Sequence, residues 1–231
     1  MRTLSETDNE YNCDISAPCF KYLSAEETML ISASKTQVLF KKGENLTKQG
    51  AFASYVLFII EGIAKQFVED DGQRNYNLQL VTAGTFVGLS SVFTKNTFDY
   101  TTTALSDTRV FLIENAAIAN VGKSNALFAY NIIQRYCKQN ASLFQTIRNL
   151  VHKQMNGRMA DTLLYLLPEN FGGLDVTSLL SRKDIADFAG ISTESAVKIL
   201  KTFEKEGLIS LDEKSVKVLN KPALEAISKN G

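Results

Sequence analysis

The stretch from residue 125 to 151, NALFAYNIIQRYCKQNASLFQTIRNLV, contains neither glycine nor proline and constrains the chain more than any other segment. One row of side chains along it runs Ile133, Tyr136, Leu143, Ile147 and Leu150. A neighbouring row runs Ile133, Cys137, Asn140, Phe144, Ile147 and Val151. Spacings of three and four put these rows on one broad face of a helix of roughly seven turns. Such a helix either packs on a neighbouring domain or pairs with a second copy of itself. Pairing is the favoured reading, because Asn140 interrupts the seam where one buried asparagine sets the register of a coiled coil. Ile133, Tyr136, Cys137, Asn140, Leu143, Phe144, Ile147, Leu150 and Val151 are therefore the expected dimer interface.

The residues before this helix follow a different period. Ser24 with Glu27 three positions on forms a capping box for a short helix over 24–34. From about 37 to 113, runs of β-branched and aromatic residues such as YVLFII and TRVFLI are punctuated by glycine. Glu61-Gly62 and Asp71-Gly72 carry the turn chemistry of hairpins, which predicts an antiparallel barrel or roll. After the helix, Gly157 is expected to mark a hinge. A smaller helical region follows, closed by two short strands in LISLD and SVKVLN. The fold class is α+β, with an N-terminal β-roll and its flanking helices over 1–124, a dimerisation helix and hinge over 125–152, and a DNA-binding domain over 153–231.

That last assignment rests on SRKDIADFAGISTESAVKILKTFEKEGLI. Ser181 precedes a first helix, Ala186 is small where two helices cross, and Gly190 suits a left-handed turn. Ile191 is expected to plug the core, and Ser192 to cap a second helix with Ala196, Ile199, Leu200 and Phe203 facing inward. Ser192, Thr193, Glu194, Ser195, Val197 and Lys198 then lie at the helix entrance, which is the end that meets base edges in a major groove. Glutamate accepts from cytosine N4, lysine donates to guanine O6 or N7, and threonine does either. Arg182, Lys201 and Lys214 sit further out, suited to phosphates. Taken singly, Ser192 and Glu194 are also ordinary helix-start residues. It is their combination with the turn glycine and the strand pair that points to a DNA-reading winged helix-turn-helix.

These motifs resemble the CRP/FNR (catabolite activator / fumarate-nitrate regulator) transcription factors over about residues 20–222. TESAVK occupies the place of that family's recognition-helix motif, with Glu194 matching its glutamate and Lys198 where arginine is usual. Lysine lacks the rigid bidentate fork of arginine. The glycines of KKGE, KQG, EG, DDG and AGTFVG follow the family spacing. The resemblance implies a cyclic-nucleotide-binding-like roll, a homodimer, double-stranded operator DNA and RNA polymerase as partners, and an effector pocket at Gly88, Leu89, Ser90, Tyr100, Thr101, Leu143 and Phe144.

The ligand implied is not cyclic AMP. In the family's cyclic-nucleotide binders a glutamate holds the ribose and an arginine neutralises the phosphate. Here Leu89 replaces the glutamate, and FDYTTTAL contains no arginine while Asp99 adds negative charge. A buried phosphate without a cation is costly. An apolar or flat molecule, lined by Leu89, Leu143 and Phe144, is the alternative to a cavity that these side chains simply fill. An iron–sulfur cluster is also not expected, since Cys13, Cys19 and Cys137 are the chain's three cysteines and four thiolates are needed. Cys13 and Cys19 are read as reduced thiols, with a redox-sensitive pair or a metal shared across the dimer as the alternatives. His152, the single histidine, is read as a helix-end residue rather than a haem ligand.

Composition narrows the rest. Lys+Arg and Asp+Glu both number 25, so contact with nucleic acid must come from a local patch. The N-terminus lacks the apolar region of an export signal, and YVLFII is too short to span a bilayer. A cytoplasmic protein with no membrane partner is expected. No catalytic or metal-binding residues are assigned. A cupin-like metal enzyme would require several inward histidines or carboxylates, and residues 37–113 contain no histidine. A regulator without a ligand, controlled by its abundance, is the remaining alternative.

Overall fold

The computed structural model describes all residues except 5–7, 9–17, 71–74 and 95, and leaves the side chains of residues 18, 19 and 230 undescribed. Two compact units are present, one comprising Met1–Glu69 with Gln79–Ala141 and the other Asp70–Leu78 with Ser142–Gly231. This division falls inside the long helix and not at residues 124 and 152, where the change of sequence period suggests it.

The first unit contains β1 (Arg2–Leu4), α1 (Ala25–Ala33), β2 (Lys35–Phe40), β3 (Asn45–Thr47), β4 (Tyr55–Glu61) and β5 (Ile63–Glu69). The chain continues through β6 (Asn75–Thr82), whose residues up to Leu78 are counted with the second unit, β7 (Phe86–Val87), a 3-10 turn over Leu89–Val92, β8 (Thr101–Ala104), β9 (Thr108–Glu114) and α2 (Asn115–Ser124). It then enters α3 (Ala126–His152). The strands form two sheets, ordered β1-β2-β9-β4-β7 and β3-β8-β5-β6. Alternation along β4 explains the unbroken YVLFII run. Val56 and Phe58 face a core shared with Ile118 and Phe128 of the helices, whereas Leu57 and Ile59 join Val38, Ala64 and Val110 in a second core. A strand covered on both faces has no polar side to show.

Ser24 caps α1 as expected. Its hydroxyl accepts from the Glu27 N–H at 3.2 Å, while the Glu27 carboxylate accepts from the Ser24 N–H at 2.8 Å. The same carboxylate accepts from Asn125 at 2.8 Å, and Asn125 in turn caps α3 by accepting from the Phe128 N–H at 2.9 Å. These bonds, the Ser24 N–H first, hold the Glu27 carboxyl below its ordinary range. Further along α3, Arg135 donates to the Gly84 carbonyl at 3.0 Å, fixing the helix to the turn between β6 and β7.

The expected hairpin at Glu61-Gly62 is absent. β4 and β5 belong to different sheets, so Gly62 carries the chain from one to the other. Its φ is +94°, and a Cβ there would lie 2.5 Å from the Asp107 carbonyl oxygen. Turn chemistry is legible locally, but the sheet that the next strand joins is not. The Asp71-Gly72 turn lies outside the described residues, although β5 and β6 are sheet neighbours. The sequence gives no sign of β1 or of the C-terminal helix of the second unit, while α2 is one of the helices expected to flank the roll.

The second unit contains the end of α3, then α4 (Met155–Tyr165), 3-10 turns at Pro168–Phe171 and Val176–Leu179, α5 (Arg182–Ala189) and α6 (Thr193–Lys205). It closes with the antiparallel pair β10 (Ile209–Leu211) and β11 (Val216–Val218), followed by α7 (Lys221–Asn230). Met159, Leu163, Ile185, Leu200, Phe203, Ile209 and Leu224 are all buried in this unit. Gly157 is not a hinge. It lies buried within α4, and a Cβ on it would sit 2.7 Å from the Gly231 carbonyl oxygen. Its role is to let two backbones approach, which a sequence read forward from 125 does not reveal.

Candidate nucleic-acid interface and effector pocket

The helix-turn-helix is built by two serine caps and one glycine. Ser181 accepts from the Asp184 N–H at 3.1 Å while Asp184 accepts from the Ser181 N–H at 2.8 Å, a capping box that starts α5. α5 ends at Gly190, whose φ of +62° is the left-handed value that glycine takes without strain. Ser192 then accepts from the Ser195 N–H at 3.1 Å, and its hydroxyl donates to Ser195 Oγ at 2.9 Å, starting α6. Ala196, Ile199, Leu200 and Phe203 are buried, and Ala186 is buried on α5, which packs against α6. Ile191 is only half-buried, so it covers the edge of the core rather than plugging it.

This anchoring leaves the opposite face of α6 to solvent. Thr193, Glu194, Lys198 and Lys201 are exposed and Val197 is half-buried. The Ser192 and Ser195 hydroxyls bond each other, so their local role is the cap. The strand pair forms a wing with Lys214 exposed at its tip. The Leu211 N–H donates to Glu204 at 3.0 Å, and the Val216 N–H donates to Thr177 at 3.0 Å, tying the wing to α6 and to the preceding 3-10 turn. Arg182 is half-buried and donates to the Asp212 carbonyl at 3.3 Å. It braces the wing from the start of α5. Lys217, which sequence reading did not single out, lies 3.1 Å from Asp212 and holds that carboxyl below its usual range.

In the roll, the residues around Gly88 are bonded to one another. The Gly88 N–H donates to the Tyr100 hydroxyl at 2.9 Å. Gly88 has φ +78°, and the Phe98 ring lies 2.5 Å from where its Cβ would be. Ser90 donates to Asp99 at 2.7 Å, and Thr101 accepts from the Gln49 N–H at 3.0 Å. Burial pushes the Tyr100 phenol above its ordinary value. Leu143 and Phe144 of α3 are described with the other unit and are 36% and 71% exposed. An open cavity of about 400 Å³ lies next to the Gly88 group, lined by Leu89, Ser90 and Phe93 together with Phe128, Ile132 and Tyr136 of α3.

Along α3 the expected interface residues Ile133, Tyr136, Cys137, Leu143, Phe144, Ile147 and Val151 are exposed, Val151 at 70%. Asn140 and Leu150 are half-buried. Leu150 Cδ2 lies 2.8 Å from the point a Cβ on Gly190 would occupy, so this side chain is partly spent within its own unit. His152 ends α3, as expected. Cys13 and the side chain of Cys19 lie outside the described residues. Among the described residues no group of three His, Cys, Asp or Glu side chains is placed to hold a metal, and no helix is long and apolar enough to cross a membrane.

A roll of this kind joined to a winged helix-turn-helix defines a DNA-binding transcription regulator with a cyclic-nucleotide-binding-like domain. The model of the cyclic nucleotide-binding domain matches residues 37–125, and that of the Crp-like helix-turn-helix domain matches residues 157–227. The cyclic AMP receptor protein of Thermus thermophilus is 22% identical over 212 residues, covering 92% of this chain and 97% of its own. The anaerobic regulatory protein of Bacillus subtilis is 21% identical over 204 residues, covering 86% of each. A Crp/Fnr-family transcriptional regulator from Eubacterium rectale has the same fold, with a TM-score of 0.76 at 21% identity over 92% of this chain and 98% of that one. The chain belongs to the CRP/FNR family of transcription regulators, which is not a family of enzymes, and the cupin-like alternative falls with that assignment.

Proposed function

We propose that the chain acts as a cytoplasmic homodimer that reads a two-fold operator and responds to an effector other than cyclic AMP. The observation that carries this reading is the exposure of Thr193, Glu194 and Lys198 on the first turns of a helix whose other face is buried. Paired along α3, two such helices suit half-sites about one helical turn, roughly 34 Å, apart. The unpartnered apolar seam of α3 supports the dimer, since contiguous apolar surface of this kind marks interaction sites. RNA polymerase is the further partner at promoters.

Against cyclic AMP stand Leu89 in place of an acidic residue and the Tyr100 hydroxyl on the Gly88 N–H. The Thermus relative bears the name of a cyclic AMP receptor, but the pocket chemistry here differs from that of the family's cyclic-nucleotide binders. Three cysteines in the chain also argue against a resident four-cysteine cluster.

The test is a selection from random duplexes, followed by operator affinity for Glu194→Ala and Lys198→Ala at fixed salt. Each variant is expected to lose about tenfold or more in specific affinity, in line with roughly 1–3 kcal/mol per base contact, while dimer mass stays the same. Unchanged operator affinity in both would remove the reading.

A further inference from the structure

We propose that the cavity between the 3-10 turn at Leu89–Val92, α2 and α3 is a binding site for a neutral, apolar small molecule. Its volume of about 400 Å³ is in the range of small-molecule sites. Phe128 and Ile132 of α3 and Leu89 of the 3-10 turn are buried and form its deep wall. Ile133, Tyr136 and Cys137 of α3, which are also expected interface residues, and exposed Phe93 complete its lining.

The chemistry of the occupant follows from the walls. None of the lining residues carries a charge, so a charged group placed there would be desolvated without compensation. Two of the polar wall groups are already committed within the protein. Ser90 donates to Asp99 at 2.7 Å, and Thr94 donates to the Ser90 carbonyl at 2.9 Å. A ligand here gains by burying aromatic or alkyl surface, not by hydrogen bonding.

Gly122 supplies an independent observation. It lies within α2 and lines the cavity, and a Cβ added to it would meet nothing within 4 Å. Glycine weakens a helix relative to alanine, and no neighbouring atom requires it at this position. What its missing side chain provides is open volume. Leu89 belongs to the same picture: an acidic residue there would put a carboxylate into an apolar wall.

The site adjoins the contact between Tyr100 and Gly88, since Leu89 and Ser90 line it. It shares Ile133, Tyr136 and Cys137 with the α3 seam, so occupancy would bear on how two copies pack. This coupling rests on the dimer reading given above; the site itself does not.

Nile red, a neutral apolar dye, tests the proposal on the full chain. Saturable fluorescence enhancement at one dye per chain is expected, displaced by naphthalene. Gly122→Leu, which fills the cavity from α2, is expected to weaken binding at least tenfold, whereas Gly122→Ala weakens it by less than threefold. Operator affinity is expected to shift at least threefold at saturating dye. Non-saturable binding, or equal dye affinity in Gly122→Leu with native near-ultraviolet circular dichroism, overturns the site. A dimer that excludes the dye because a partner side chain fills the cavity also overturns it. Gly122-dependent dye binding by a chain that selects no operator upholds the site and removes the regulator reading instead.

Discussion

The Tyr100 hydroxyl accepts the Gly88 N–H at 2.9 Å, tying β8's approach to the 3-10 turn that follows β7. The contact satisfies a backbone donor that a bound ligand would otherwise have to meet. Tyr100→Phe leaves that N–H without its acceptor, at a cost of about 1–3 kcal/mol. Urea denaturation followed by circular dichroism measures the loss. A change too small to resolve would show that solvent replaces the hydroxyl.

The same phenol gives the alkaline limb of stability a defined sign. Its pKa is raised in the folded chain by burial. A raised folded value contributes stability that is fully present below the unfolded value, near 10, and is lost as pH rises through the folded value. Unfolding free energy should therefore fall with pH above about 10 in the native chain. The slope should be shallower in Tyr100→Phe, and equal slopes in the two proteins would refute this assignment.

Lys214, exposed at the tip of the wing between β10 and β11, is placed for a phosphate rather than a base. Lys214→Ala is expected to weaken binding to all duplexes by a similar factor. The slope of log affinity against log salt should also become shallower by about one, the share of a single neutralised phosphate. Fluorescence anisotropy across a salt series gives both quantities. Weakening confined to the operator would instead make Lys214 a base-reading residue.

Phe144 is 71% exposed in the middle of the α3 seam. Phe144→Asp places a charge where two copies would pair, so sedimentation should show a monomer at concentrations where the native chain is dimeric. Far-ultraviolet circular dichroism should be unchanged, because the side chain is not part of either unit's core. Persistence of the dimer would place the interface elsewhere.

Two helical glycines should respond in opposite directions. Gly122→Ala removes unfolded-chain entropy at no steric cost and is expected to stabilise by about 0.4–1 kcal/mol. Gly157→Ala drives a methyl to within 2.7 Å of the Gly231 carbonyl, and such overpacking costs typically about 1–3 kcal/mol. Thermal unfolding of the pair decides the matter, and equal shifts would contradict the packing described for α4 and α7.

What the amino-acid sequence determined by itself is whatever depends on period and on near neighbours. The spacing of Ile133, Cys137, Phe144 and Ile147 specified one long amphipathic helix, because 3.6 residues complete each turn wherever the helix lies. Ser24, Ser181 and Ser192 marked helix starts through bonds that span three residues, and Gly190 marked a left-handed turn. The outward face of α6 followed from the buried positions of Ala196, Ile199, Leu200 and Phe203. Only the tertiary structure decided matters that join residues distant along the chain. Gly62 looked like a hairpin turn but moves the chain between sheets, because strand partners are chosen by long-range packing. Gly157 looked like a hinge but admits the Gly231 backbone. The exposure of Leu143 and Phe144 on α3, and the closing of Tyr100 and Phe98 around Gly88, likewise depend on packing. The apolar cavity beside Gly122 was invisible for the same reason: volume left empty by side chains from three separate segments has no signature in the order of the residues.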